Sequence, residues 1–277
     1  MKLYAKSTIR EMKDRHNFKL SKSLGQNFLT DKNIIDKIIE AADIGETDLV
    51  IEIGPGFGVL TAEAAQRAGR VVALEIDQNL MPILQETLAL YSNVQLINAD
   101  VLKTDLNEVI ARGKAEDTAL KGVKVLEEGT VADSITIMMQ KEVADRIKAP
   151  PGGKTYGAIS VAVQYYCTVT DVARVPRQVF VPEPKVDSAV LRLDIRAEKS
   201  VDLADEKLFF ACVKAGFGQR RKTLLNSLTG VCGLDKEETR GLLEAAHIDP
   251  IRRAETLSIG EFAALANELF RILKGKQ

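Results

Sequence analysis

The chain has 277 residues, 45% of them apolar and 28% charged, which is enough for one large domain and a smaller one around real cores. The formal net charge is −1, so the average composition advertises no polyanion partner, and no apolar run approaches the ~18 residues of a membrane span. Three cysteines without a C-x-x-C pair, together with only two histidines, argue against a metal site and for reduced thiols in a cytosolic protein.

The average charge hides an asymmetry. Met1 to Lys32 holds eight Lys/Arg against three Asp/Glu, whereas Asn33 to Ala111 holds four against thirteen. A basic N-terminal arm therefore precedes an acidic stretch, and the two suit different partners.

Elements follow in chain order. Ile34 to Ala42 has the apolar spacing of an amphipathic helix entered through Thr30 or Asp31. Leu49 to Ile53 is a short buried strand, and a glycine turn leads from it into a helix from about Val59 to Ala68, ended by Gly69. Arg70 to Leu74 is a strand closing on Glu75, Leu80 to Leu90 is helical, and Val94 to Asn98 is a strand closing on Asp100. This alternation predicts an α/β fold with a parallel sheet covered by helices on both faces. Ser134 to Met139 and Ser160 to Val169 are expected as further strands, and the alternating "VDSAVLRLDI", Val186 to Ile195, as the last. After Arg196 the periodicity becomes helical. The division expected is residues 1–200 as a ligand-binding domain and 201–277 as a small all-helical one.

The turn reads "IEIGPGFGVL". A dinucleotide fingerprint would be G-x-G-x-x-G, but Val59 stands where the third glycine belongs. The pattern is instead E-x-G-x-G-x-G, from Glu52 through Gly54 and Gly56 to Gly58. Three acids, Glu52, Glu75 and Asp100, fall at the ends of three consecutive strands, where open α/β sheets bind ligands. Carboxylates gathered there repel a pyrophosphate and suit hydroxyls, an amine and a cation. S-adenosylmethionine carries all of these. Glu75 is expected to accept from the ribose hydroxyls and Asp100 from the adenine amine. Glu52 is expected near the methionine end, holding the turn or the ammonium. The plainer alternative is that these acids are helix N-caps.

Several stretches together resemble the ribosomal RNA adenine dimethyltransferases of the KsgA type. They are "SLGQNFLTD", "IEIGPGFGVLT", "ALEID", "NADVL", "MMQKEVADRI", "YGAISV", "VFVPEPKVDSAV" and "FGQRRKTLLNSL", in the family's order along nearly the whole chain. The resemblance implies a Rossmann-like, S-adenosylmethionine-dependent methyltransferase. Such an enzyme dimethylates two adjacent adenosines near the 3′ end of small-subunit (16S) rRNA on an assembling 30S particle, without metal or membrane, and a monomer is expected. It also places Gln26, Asn27 and Leu29 in the cofactor site with Gly54, Gly56, Glu75 and Asp100. Arg220, Arg221 and Lys222, expected on a helix, and Lys185, near the active-site rim with Phe180, are RNA-binding candidates, since adjacent cations on a helix cannot all share one face.

One piece is missing. The family's catalytic N-[LI]-P-[YF], at the end of the fourth strand, positions the amine of a flipped adenine. No Asn in this chain is followed two residues later by Pro, so the catalytic residues are unknown. In its place stands "ALKGVKVLEEGTVADS", where "GVKV" starts a strand and "LEEG" resembles the end of the following helix. Either a segment after Val125 is omitted from this sequence, or the chain has lost it. Omission predicts Val125 and Leu126 far apart in space. Loss leaves open a non-catalytic small-subunit assembly factor. A further alternative is a large-subunit adenine methylase conferring antibiotic resistance, against which the "RRKTL" and "PKVDSAV" stretches speak.

Overall fold

A computed structural model describes residues 2–21, 24–117, 119–120, 122–126 and 132–275. The chain divides into two compact units, Met1–Lys141 with Thr170–Ile195, and Glu142–Val169 with Arg196–Gln277. The second unit thus takes in residues 142–169 as well as the C-terminal part beyond the predicted boundary near 200.

The first unit opens with α1 (Lys6–Arg15), β1 (Phe28–Leu29) and α2 (Lys32–Ala42). There follow β2 (Asp48–Ile53), α3 (Val59–Ala65), β3 (Arg70–Glu75), α4 (Met81–Thr87), β4 (Val94–Asn98), α5 (Leu106–Glu116), β5 (Gly122–Leu126) and β6 (Ser134–Gln140). After α6 (Lys141–Ile147) and α7 (Ala158–Tyr166) come β7 (Cys167–Val175), β8 (Phe180–Val181) and β9 (Ser188–Ile195).

The seven-stranded sheet has the order β4-β3-β2-β5-β6-β9-β7. The first five strands are mutually parallel, and β9 runs antiparallel to β6. From β2 the chain steps outward to β3 and β4, then returns to lay β5 on the other side of β2. The strand order reverses there, and the carboxyl end of β2 opens on that reversal. The central strands are fully buried, with Leu49, Val50 and Ile51 of β2 at 0% exposure, as expected for strands covered on both faces. A separate two-stranded ladder pairs Phe28 with Val181 and Leu29 with Phe180, antiparallel.

α2 shows why the sequence dictates its place. Asp31 caps it, accepting from the Asn33 and Ile34 amides, and Ile34, Ile35, Ile38, Ile39 and Ala42 form its buried stripe.

Three expectations need correction. Ser160–Val169 is not one strand: α7 occupies Ala158–Tyr166 and β7 begins at Cys167. An apolar run alone does not separate a buried helix from a strand. The local chemistry decides, because Ser160 Oγ accepts from the Gly157 amide at 3.0 Å and donates to the Arg146 carbonyl, starting a helix. Gln164 then donates to the carbonyls of Ile147 and Ala149.

Second, Val125 and Leu126 are not far apart. They are consecutive residues of β5, in unbroken register with Ile51 and Glu52 of β2 and with Ile135 and Thr136 of β6. Leu126 is therefore the end of a strand and not of a helix, and Glu127–Gly129 lie outside the described residues. Third, "FGQRRKTLLNSL" is not one helix, as the second unit shows.

That unit adds α8 (Glu206–Gly218), α9 (Leu224–Leu228), α10 (Lys236–Ala245) and α11 (Ile259–Gly275). Phe209, Cys212 and Val213 of α8, Leu242 and Leu243 of α10, and Phe262, Leu265 and Leu269 of α11 share one core with Tyr156, Val161 and Tyr165. α8 stops at Gly218, so Arg220, Arg221 and Lys222 stand on the turn before α9.

Candidate functional site

β2 delivers Glu52 to the mouth of the sheet and the glycine turn folds over it. Gly54, Gly56 and Gly58 have φ of 71°, 59° and 78°, a left-handed run that side-chain-bearing residues rarely adopt. At Gly56 the space is closed as well, since a Cβ there would lie 3.0 Å from the Phe28 ring. The turn is thus held tight against β1, and its amide groups stay near the strand ends.

Glu52 is 3% exposed and accepts from Thr61 Oγ1 at 2.5 Å. Burial pushes its carboxyl up to about 7, the neighbouring Glu75 pushes in the same direction, and the Thr61 bond opposes both. Glu75, 4% exposed, accepts from the Asp77 amide at 2.8 Å. The amides of Gly56 and Ile76 also bond to it, so this carboxylate ties the glycine turn to the end of β3. Burial nevertheless raises its pKa above the ordinary carboxylate value.

Asp100 behaves differently. It is half-buried, accepts from the Leu102 amide at 3.0 Å and caps the short 3-10 turn Val101–Lys103. The N-cap alternative therefore holds for Asp100 and fails for Glu52 and Glu75. Asp77, which the motif reading passed over, caps the turn Gln78–Leu80 and accepts from Gln26 Nε2 at 2.6 Å. Gln26 accepts in turn from the Ser21 amide at 2.8 Å. Gln26 thus fastens the N-terminal arm to the end of β3.

A cavity of about 120 Å³ lies beside the turn. Glu52, Gly54, Gly56, Asn27 and Leu29 line it, with Phe28, Ile9 and Thr136. Gln26, Glu75 and Asp100 are not among its walls. Asn27 is exposed and donates to the Gly25 carbonyl at 2.7 Å. Thr136 Oγ1 is buried and has no hydrogen-bond partner among the described residues. Two exposed apolar side chains stand next to the acids, Ile76 after Glu75 at 50% and Leu102 after Asp100 at 87%. The signal for both was in the sequence, as apolar residues one and two places beyond a strand-end acid.

The proposed RNA residues divide. Lys185 is exposed, and its carbonyl receives a long bond from Arg177. Phe180, expected at the same rim, is buried with Ile34, Ile38, Val175 and Val190 and pairs with Leu29, so it backs the cavity wall and is not exposed at it. In the second unit, Arg220 is committed to the protein, donating to the carbonyls of Lys154 at 2.6 Å and Tyr156 at 3.3 Å. Arg221 and Lys222 are exposed on the same turn.

The family described as "Ribosomal RNA adenine dimethylase" matches residues 17–269 of this chain. A "Ribosomal RNA small subunit methyltransferase A" of Clostridioides difficile is 49% identical over 279 aligned positions, covering 96% of each chain. One of the same name from Alkaliphilus metalliredigens is 49% identical over 282 positions, covering 97% of this chain and 98% of that relative. Because 96% of 277 residues cannot fill 279 positions, the Clostridioides difficile relative carries residues with no counterpart here. Among solved structures, a dimethyladenosine transferase from Plasmodium falciparum shares the fold, with a TM-score of 0.73 at 24% identity over 90% of this chain and 98% of that one. The 23S rRNA methyltransferase ErmE is similar with a TM-score of 0.62 at 25% identity over 88% of this chain and 99% of that one.

Proposed function

This chain belongs to the ribosomal RNA adenine dimethylase family, and from that premise we propose that it dimethylates two adjacent adenosines near the 3′ end of small-subunit rRNA during subunit assembly. The observation that carries the reading is the pair of buried strand-end carboxylates, Glu52 and Glu75, beneath a left-handed glycine turn where a Cβ at Gly56 would crowd the Phe28 ring. That cradle fits S-adenosylmethionine, which supplies the methyl group.

Each residue has a task in this reading. Glu75 fixes the turn through the Gly56 amide and keeps acceptor capacity for the ribose hydroxyls, since a carboxylate offers about four lone-pair sites. Asp100 accepts from the adenine amine at the same edge, and Ile76 and Leu102 supply apolar faces for the ring. Asn27 and Leu29 form the wall toward the methionine end. Lys185, Arg221 and Lys222 meet RNA phosphates. The protein works as a monomer in the cytoplasm.

Positioning of the substrate adenine is the incomplete part. In the family it belongs to the segment after the fourth strand, and here residues 127–133 alone join β5 to its parallel neighbour β6. Such a connection ordinarily needs about a dozen residues or more. Transfer is expected to be slow for want of that crossover. The same observation favours the second reading, an assembly factor that binds rRNA without methylating it.

The test is transfer of labelled methyl groups to unmethylated small subunits and to naked large-subunit RNA. Label in small-subunit adenines is the expected result. Label in neither, with binding to the subunit intact, selects the assembly factor. Label in large-subunit RNA selects the resistance-type methylase.

A further inference from the structure

The residues before 17 lie outside the stretch that the family matches, yet they are built onto the cofactor side of the first unit. α1 turns Ile9 and Met12 inward, at 2% and 1% exposure. Together with Leu3 and Phe18 they join Phe57 of the glycine turn and Leu80, Ile83 and Leu84 around α4 in one apolar cluster. Phe57 meets the edges of two rings, Phe18 at 6.0 Å and Phe28 at 4.4 Å between centroids. Ile9 reaches far enough to be a wall of the cavity that Asn27, Glu52, Gly54 and Gly56 also line.

The outer fastening of this helix is light. Arg15 and His16 both grip Glu86 of α4, His16 at 2.7 Å. The Arg15 side chain is half exposed and Glu86 a third exposed, so solvent screens the grip and it is weak. A ten-residue helix does not persist by itself in water, so α1 exists only while docked. Its hold on the domain is a few apolar side chains and one exposed latch. As a segment near one end of the chain, it can open locally without unfolding the sheet.

We propose that α1 is a removable wall of the cofactor cavity: cofactor enters and leaves when the helix lifts, and Ile9 packs against the bound ligand when it returns. The proposal rests on the reading of the glycine-turn cavity as the cofactor site. It assigns a retention role to a segment that precedes the stretch matched by the family. The helix touches the turn itself and not a remote surface, so lifting it opens the cavity directly.

The experiment measures S-adenosylhomocysteine dissociation from the full chain by stopped flow, with trypsin cleavage after Lys6, Arg10 and Lys13 as the readout of lifting. Glu86→Ala removes the latch. Faster cleavage and up to about fivefold faster dissociation are expected, the most that loss of an exposed ion pair can shift the balance between docked and lifted helix. Faster cleavage with unchanged dissociation overturns the proposal. Should Glu86→Ala leave cleavage unchanged, Met12→Asp, which puts a charge into the buried seam, is judged by the same criteria on protein whose melting remains cooperative. If cleavage resists that variant too, α1 does not lift and the proposal falls. Glu52→Ala, at a wall of the cavity, separates the two levels. If it also leaves affinity untouched, the cavity is not the cofactor site. If it weakens binding while the arm variants do not, only the removable wall is wrong.

Discussion

Two connections of one sheet carry the lesson of this molecule. Residues 54–69 join β2 to its parallel neighbour β3 and include the glycine turn and α3. Residues 127–133 join β5 to its parallel neighbour β6. The first has the length that a parallel crossover needs, and the second does not. The difference separates two tasks. In the proposed reading, holding the cofactor rests on the complete connection and the buried carboxylates of the two strands it joins. Holding the base rests, in the family, on the connection that is cut short here.

The largest expected effect tests that contrast directly. Replacing residues 127–133 by the corresponding crossover of the Clostridioides difficile relative should raise methyl transfer to small subunits by roughly 10²-fold or more, since misplacement of a reacting group by about 1 Å costs that much. Cofactor affinity should not change. If the graft leaves the transfer rate where it was, the short connection is not what limits the chemistry.

On the complete side, Glu52 ties stability to pH. A carboxyl whose folded pKa exceeds its unfolded one holds its proton more tightly in the native state. Native stability therefore falls as pH rises from about 4.5 to about 7 and stays reduced above that. The shift corresponds to at most about 3 kcal/mol. Glu52→Gln keeps an acceptor for the Thr61 hydroxyl and cannot ionise, so its stability in urea should lose this slope and exceed the parent's at pH 8. Equal slopes in the two proteins would show that the Glu52 carboxylate is not buried at a cost.

Next is Glu75→Ala, which leaves the Gly56, Ile76 and Asp77 amides without their acceptor and the ribose without its own. Cofactor affinity should fall by about 1–3 kcal/mol by calorimetry. Unchanged affinity would mean that the complete connection does not hold the cofactor through its carboxylates.

Much of the cofactor half was legible because its determinants are local. Strand-end acids and a glycine turn occupy fixed offsets, and β2, β3, β4 and β6 came out within a residue of their expected bounds. What escaped depends on distant partners. β1 and β8 are two residues each and exist only as each other's ladder. α1 carries just Ile9 and Met12 inward among charged neighbours, a spacing of three that is weak evidence without the surface it covers. α7 was hidden by a run of apolar residues that suits either conformation, and Ser160 declares the helix only through the carbonyl of Arg146. The continuity of β5 through Leu126 is invisible in the sequence because it depends on register with β2 and β6 on either side.

The smallest expected effect concerns the basic turn of the second unit, where adjacent cations read as one group divide into two roles. Arg220 spends its guanidinium on the Lys154 and Tyr156 carbonyls and so braces the loop ahead of α7. Arg221 and Lys222 are exposed and, among the described residues, engage no carboxylate. Counterion release is proportional to the phosphates a protein neutralises, at about 0.9 per contact in the log–log salt slope for duplexes and about 0.7 for single strands. Arg221→Ala with Lys222→Ala should thus flatten the salt dependence of subunit binding by up to ~2 while leaving melting and cofactor affinity unchanged. Arg220→Ala should lower the melting temperature with a smaller change in slope, because its loss strands two carbonyls and its guanidinium, though exposed and still charged, is pinned to them and less free to reach a phosphate. A slope that falls equally for Arg220→Ala would return it to the RNA-binding set. A slope untouched by the double variant would move the RNA contact of this unit away from the turn altogether.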